Sequence, residues 1–167
     1  NTAANWNLNR VPVGGDVVRI TSGTATVSSQ VAAAYVLVGG VLIWSGGTLA
    51  GHLTVGTGGV LNISGTGDKR IAGGATLNNA GVVTHQAGAL VRFNSLYQIR
   101  GAMNNLAGGL YVLDGDAGYA RGGSEYYSDS GAGVLNNAGL YRKTGGSISS
   151  IDSSITFTNT GTVDIQS

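Results

Sequence analysis

Apolar residues fall in short runs separated by glycine and asparagine. The segments "DVVRIT", "YVLVGGVLIW", "HLTV", "VLNIS", "GLYVLDG", "SITFTN" and "TVDIQ" are rich in β-branched and aliphatic residues. They alternate in part with period two, as half-buried strands do. Helical periodicity is nearly absent. The run "QVAAAYVLV" from Gln30 to Val38 has helix-forming alanines. Its β-branched residues and the glycine pair that follows argue for a strand.

One punctuation mark recurs. "TLNNAGVV" begins at Thr76, "MNNLAG" at Met103, "LNNAGL" at Leu135 and "FTNTGT" at Phe157. The anchors Leu77, Met103, Leu135 and Phe157 are 26, 32 and 22 residues apart, and "GGVL" occurs twice upstream at a spacing of 19. An uneven period of about 20 to 30 residues, with two or three short strands per period, is that of a β-solenoid. A propeller blade needs about 40 residues. A sandwich of short strands competes, but unequal spacings suit stacked coils, which absorb insertions at one corner.

The repeat then has a physical reading. Leu77, Met103, Leu135 and Phe157 form an inward hydrophobic column. Asn78, Asn104, Asn136 and Asn159 mark a recurring corner, where asparagine tolerates left-handed backbone and its amides stack as a ladder. Gly81, Gly139 and Gly161 turn the chain into the next strand. The other reading of the asparagines is a ligand site.

Composition narrows the classes. Thirty glycines, one proline, 42% apolar and 10% charged residues exclude both disorder and collagen. A net charge of +1 without a basic block speaks against nucleic acid. No cysteine is present, so disulfides and thiolate chemistry are absent. No apolar stretch reaches the roughly 20 residues of a membrane-spanning helix. Opening on Asn1, without methionine or signal peptide, the chain reads as a mature product or an excised piece.

The stretches "NWNLNRVPVGGDVVRI" and "LNNAGLYRKTGGSISSIDSSITFTNTGTVDIQS" resemble right-handed parallel β-helix regions of large secreted bacterial proteins. Adhesin-like and autotransporter-passenger-like surface proteins are the group in question. The resemblance covers most of the chain and lies in glycines, asparagines and apolar positions. It implies an all-β single solenoid over 1–167, right-handed, at the cell surface or outside the cell. Coil spacing gives six to eight coils, with 1–15 as an N-terminal cap in which Trp6 is the lid over the first coil.

Candidate chemistry is sparse. Asp114 and Asp116 in "DGDAG" offer two carboxylates on a glycine turn, a calcium pattern that lacks the β-roll nonapeptide; the alternative is a solvated turn. The long interval suggests a loop insertion over 114–133, with Tyr119, Arg121, Tyr126 and Tyr127 placed for sugar stacking or protein contact. The other reading folds those tyrosines back over the flank. His52 and His85 fit no metal-ligand spacing. Lys143 and Asp164 sit at comparable offsets after their anchors, as stacked ion partners. The eight acids are scattered and no nucleophile or nucleotide motif occurs, so neither catalysis nor a cofactor is expected.

The expected function is therefore structural or adhesive, as a stalk segment or a fibre subunit. Its partners would be copies stacked head to tail, adjoining coils, surface glycans or proteins. A carbohydrate-binding or lyase-like β-helix is the alternative; it needs charged side chains and a tyrosine converging on one face. An ice-binding solenoid needs regular ranks of Thr-x-Thr, of which "TATV" and "TNTGT" are fragments.

Overall fold

In the computed structural model, residues 2–30, 33–96, 99–122 and 133–166 are described. A short 3-10 turn, Ala3–Asn5, precedes the first coil. Coil 1 is β1 (Val17–Ile20) and β2 (Thr24–Val27). Coil 2 is β3 (Tyr35–Val38), β4 (Val41–Trp44) and β5 (Gly47–Leu49). Coil 3 is β6 (His52–Val55), β7 (Val60–Ile63) and β8 (Lys69–Ile71). Coil 4 is β9 (Thr76–Asn79), β10 (Val82–Gln86) and β11 (Leu90–Phe93). Coil 5 adds a small antiparallel strand, β12 (Ser95–Leu96), before β13 (Ile99–Asn105), β14 (Leu110–Asp114) and β15 (Gly118–Arg121). Coil 6 is β16 (Gly133–Asn137), β17 (Leu140–Thr144) and β18 (Ser150–Ile151). Coil 7 is β19 (Ile155–Asn159) and β20 (Thr162–Gln166).

Each coil lies in parallel register on the one before, giving three sheets. Sheet 1 runs β1-β3-β6-β9-β13-β16-β19, sheet 2 runs β2-β4-β7-β10-β14-β17-β20, and sheet 3 runs β5-β8-β11-β15-β18. The chain is a parallel β-helix. Among the described residues no helix is long and apolar enough to cross a membrane.

Parallel stacking converts the sequence period into columns. Val18, Val36, Leu53, Leu77, Met103, Leu135 and Phe157 are register partners in one inward column of sheet 1. Leu77, Met103 and Leu135 are fully buried, whereas Phe157, on the last coil, is 38% exposed. The anticipated column exists; only its end is uncovered.

The glycines expected at the corner into the next strand stand there, with close approach between coils as the reason. Gly23, Gly40, Gly59, Gly81, Gly109, Gly139 and Gly161 each immediately precede a sheet 2 strand, one per coil. Gly81, Gly139 and Gly161 do not adopt positive φ. A Cβ on any of them would meet backbone of the preceding coil: Gly56 and Gly59 carbonyls for Gly81, the Gly109 carbonyl for Gly139, and the Gly139 carbonyl for Gly161. These glycines permit close approach between coils; they are not left-handed turns. The asparagines need correction too. Asn78, Asn104, Asn136 and Asn159 belong to strands, and the one non-glycine residue with positive φ among the described residues is Asn9.

Candidate functional site

Side chains at the ends of the sheet 1 strands build two asparagine ladders, one on each side of the sheet. Asn79, Asn105, Asn137 and Asn159 continue the inward column that begins as Ile20, Val38 and Val55. Asn79 Nδ2 donates to Asn105 Oδ1 at 2.8 Å, Asn105 to Asn137 at 2.7 Å and Asn137 to Asn159 at 2.6 Å. The same three Nδ2 atoms donate to the carbonyls of Leu110, Leu140 and Thr162 at the starts of the next sheet 2 strands. Gly81 N–H donates to Asn79 Oδ1. Each amide therefore satisfies a buried corner that water does not reach.

Asn78, Asn104 and Asn136 form the second ladder, on the outer face. Asn104 Nδ2 donates to Asn78 Oδ1 and Asn136 Nδ2 to Asn104 Oδ1, both at 2.8 Å. Its hydrogen bonds point toward the first coil, opposite to the inner ladder. Asn159, grouped from the sequence with this column, belongs to the inner one; Thr158 occupies the outer position.

Inside the middle coils sits a polar aromatic cluster that the sequence reading did not anticipate. Tyr111 and Tyr141 stack with ring centroids 5.2 Å apart, and Tyr141 Oη donates to Tyr119 Oη at 3.0 Å. Tyr111 Oη lies 3.2 Å from His85 Nδ1, while His85 Nε2 lies 2.9 Å from the Ala89 carbonyl. Burial drives the tyrosine hydroxyls well above their ordinary range. The His85 imidazole is pushed down to about 4 by desolvation, assisted by the nearby Lys69 charge and opposed by the Ala89 carbonyl. Lys69 is itself fully buried, its ammonium held by the carbonyls of Gly65 and Gly67 at 2.7 Å each. Desolvation lowers its pKa.

Stability should follow His85. With an ordinary value near 6.5 unfolded and about 4 folded, the unfolded chain binds the proton more readily. The contribution is complete above pH ~6.5 and declines as pH falls to ~4, by roughly 3 kcal/mol in all. Urea midpoints measured at pH 7, 5.5 and 4 should fall accordingly, and His85→Leu should flatten the slope within that window. An unchanged slope in the variant would mean that other groups set it.

The loop expected over 114–133 is corrected in part. Asp114 ends β14, and Gly118–Arg121 is β15, a strand of sheet 3. Tyr119 alternates inward from it and is 2% exposed, so it cannot present a ring to a ligand. Arg121 ends the same strand and is exposed. Tyr126 and Tyr127 lie outside the described residues. The acidic pair is divided: Asp116 Oδ1 accepts the amides of Ser147 and Ile148 at 2.6 and 2.8 Å, while Asp114 Oδ1 approaches Thr144 Oγ1 at 3.4 Å. Asp116 thus anchors the following coil, and no three His, Asp or Glu residues group as metal ligands among the described residues.

The partner of Asp164 is Arg142, its register neighbour, with Nε to Oδ2 at 2.8 Å. Lys143 pairs in register with Ile165 and points inward, where the carbonyls of Gly115 and Gly145 hold its ammonium. On sheet 3, Arg70 and Arg92 both reach Asp68 from the outer face. Among the described residues these arginines and the buried tyrosines occupy opposite sides of the sheet.

The two ends of the stack differ. At the first, Trp6 packs against the core beside a cavity of about 590 Å³ lined also by Val11, Pro12, Val18 and Ile20. Arg10 and Asp16 tie this segment to the first coil by paired hydrogen bonds of 2.6 and 2.8 Å, which hold the Asp16 carboxyl at about 2. At the other end, Val163 and Ile165, the register partners of inward Tyr141 and Lys143, are 41% and 63% exposed. Comparison with family models, with curated proteins and with solved structures finds no match to the chain.

Proposed function

We propose that the chain is a non-enzymatic structural and adhesive solenoid module whose stack is extended at the β19–β20 edge. The observation that carries this reading is the repeat itself, which carries its core positions in parallel register through β19 and β20, ready for a further coil of the same chain or of another. Phe157, Val163 and Ile165 occupy core positions of the repeat, yet all three are exposed. Strand edges with unpaired backbone and apolar side chains recruit further strands. A net charge of +1 supplies little repulsion against such a contact.

The resemblance to secreted bacterial adhesin-like solenoids supports a role for such a module outside the cell, in a stalk or fibre. Head-to-tail growth requires the Trp6 cap to be displaced from the first coil. Two β19–β20 edges meet without that step. The first contact is heterologous and grows without limit, whereas the second closes as a dimer. A catalytic role has less support, because Asp68, Arg70 and Arg92 reach one another on the outer face of sheet 3, away from the buried tyrosines.

Multi-angle light scattering of the pure chain over a range of concentrations tests this. Association should appear as mass rises with concentration, and Ile165→Lys should suppress it while the fold persists by circular dichroism. A strictly monomeric chain at millimolar concentration would sink the self-stacking reading.

A further inference from the structure

The outer faces of the three sheets differ in charge. Sheet 1 carries Arg19 on its first coil and Arg100, which donates to Thr156 Oγ1. Sheet 3 carries Arg70 and Arg92 around Asp68. Sheet 2 is aliphatic. In coils 2 to 6 one of its outward columns is Val41, Val60, Val82, Leu110 and Leu140, and the next is Ile43, Asn62, Thr84, Val112 and Arg142. Seven of these ten are Val, Ile or Leu, and all ten are half-buried, so an apolar surface stays open to the outside. Charge enters at one end, where Arg142 pairs with Asp164 of the next coil, and at the rim, where Asp114 ends β14.

The strands carry the same message. "VLIW", "VLNI" and "LYVL" lack the apolar–polar alternation of "TLNN" in sheet 1. Parallel strands that are apolar on both sides belong to sheets covered on both sides. The core covers the inner side of sheet 2. Its backbone is committed to the ladders, so the outer side is covered by side chains, with another sheet about 10 Å away.

We propose that the outer face of sheet 2 is the contact between two copies of the chain lying side by side in opposite directions. Three observations select a second copy. An uncharged aliphatic face is complementary to itself, and a two-fold contact uses the same patch twice. The charges fix the direction. Stacks aligned the same way set Arg142 against Arg142 and Asp164 against Asp164, whereas opposed stacks set this pair against Ile43 and the hydroxyls of Thr24 and Thr26. The relief agrees: a groove lined by Gly109, Leu110, Gly139, Leu140, Gly161 and Thr162 borders coils 5 to 7, where opposed stacks bring Val60 and Val41. The area sets the strength. Seven strands about 4.8 Å apart, each four to five residues long, make a face of roughly 500 Å². Two faces bury about 1,000 Å², the threshold of a specific interface and less than the ~1,600 Å² of a standard one, so the pair is reversible. This contact is separate from the stacking at β19–β20 and goes beyond it.

Cross-linking tests it, since the chain has no cysteine of its own. With opposed stacks coil 4 faces coil 4, so Val82→Cys should be joined to itself by a short bis-maleimide. Val41→Cys and Leu140→Cys should be joined in a mixture and neither to itself. Thr54→Cys, on the outer face of sheet 1, is the control for random collision. Thr84→Arg, a polar outward position that sets a like charge against itself across the two-fold, should lower the Val82→Cys yield at least tenfold with circular dichroism unchanged. A Val82→Cys yield no higher than that of Thr54→Cys would overturn the proposal, as would Val41→Cys joined to itself. Sedimentation with phosphatidylcholine vesicles without cross-linking would assign the face to a lipid surface instead. Light scattering separates the two contacts. Side-by-side pairing stops at twice the chain mass, growth beyond it reports the β19–β20 edge, and Ile165→Lys leaves the Val82→Cys cross-link in place.

Discussion

Gly139→Ala should leave the chain unable to hold its native stack. The added Cβ would enter the Gly109 carbonyl and lie 2.5 Å from that of Leu106 and 2.9 Å from Asn105 Nδ2. None of these atoms can retreat cheaply. The Gly109 carbonyl accepts the Leu140 amide at 2.9 Å, the Leu106 carbonyl accepts the Gly109 amide at 2.8 Å, and Asn105 Nδ2 is a rung of the inner ladder. Overpacking commonly costs about 1–3 kcal/mol where side chains can shift. Here the obstacle is backbone, so about 4 kcal/mol or more is expected, at the upper end of single substitutions. For a domain stable by about 5–15 kcal/mol, that is a large part of the total.

Gly108, the preceding kind of glycine, supplies the contrast. Its φ is +83° and nothing lies within 4 Å of an added Cβ, so Gly108→Ala meets only the left-handed backbone penalty of about 1–2 kcal/mol. Urea unfolding of the two variants separates close approach from backbone conformation. A Gly139→Ala midpoint no lower than that of Gly108→Ala would show that the coils are not packed as described.

The solenoid was legible because parallel stacking leaves a trace in one dimension. Leu77, Met103, Leu135 and Phe157 recur at the same point of each coil, and their register partnership follows directly. Upstream the trace was fainter, since Val18, Val36 and Leu53 lack the asparagine pair and the first two coils are shorter. The side of the sheet was not legible. "NN" gives two adjacent amides, and a strand sends neighbours to opposite faces, so one column is sealed and the other is open. Asn159 was grouped with the wrong column because "FTNTGT" has threonine where the other copies have their first asparagine. Only the start of the tyrosine segment, up to Arg121, was misjudged as a loop, because polar composition and a long interval suggest a protrusion. Yet Gly118–Arg121 is only the third strand of an ordinary coil, and Tyr119 caps a hydrogen-bonded chain with Tyr141 that no local pattern announces. Asp164 was matched to Lys143 from offsets counted in uneven coils; shifting by one residue gives Arg142, and the inward Lys143 is held by corner carbonyls with Asp116 at 3.8 Å.

Asn105→Leu should unfold the chain more completely than any change on the outer ladder. The substitution keeps the volume but removes the donor to Asn137 Oδ1 and to the Leu140 carbonyl, and the acceptor for Asn79 Nδ2. Asn105 is 1% exposed, and Asn79 and Asn137 are equally enclosed, so water does not replace the lost bonds. Each buried group left unsatisfied costs about 1–3 kcal/mol, which for Asn137 Oδ1 and one N–H of Asn79 gives on the order of 4 kcal/mol. Leucine recovers part of this by adding apolar contact where Ile20, Val38 and Val55 head the same column, but the Asn137 Oδ1 that accepted from Asn105 loses that donor at a closed corner. The outer neighbour is the control. Asn104→Leu removes amide bonds of the same length, 2.8 Å, on a half-buried face where solvent takes their place. Its cost should stay below about 1 kcal/mol, the net value of a solvated hydrogen bond. Chemical denaturation of both variants reads the difference. Equal midpoints would show that the two amide columns stand in the same environment, which would contradict the assignment of one to the interior and the other to the outer face.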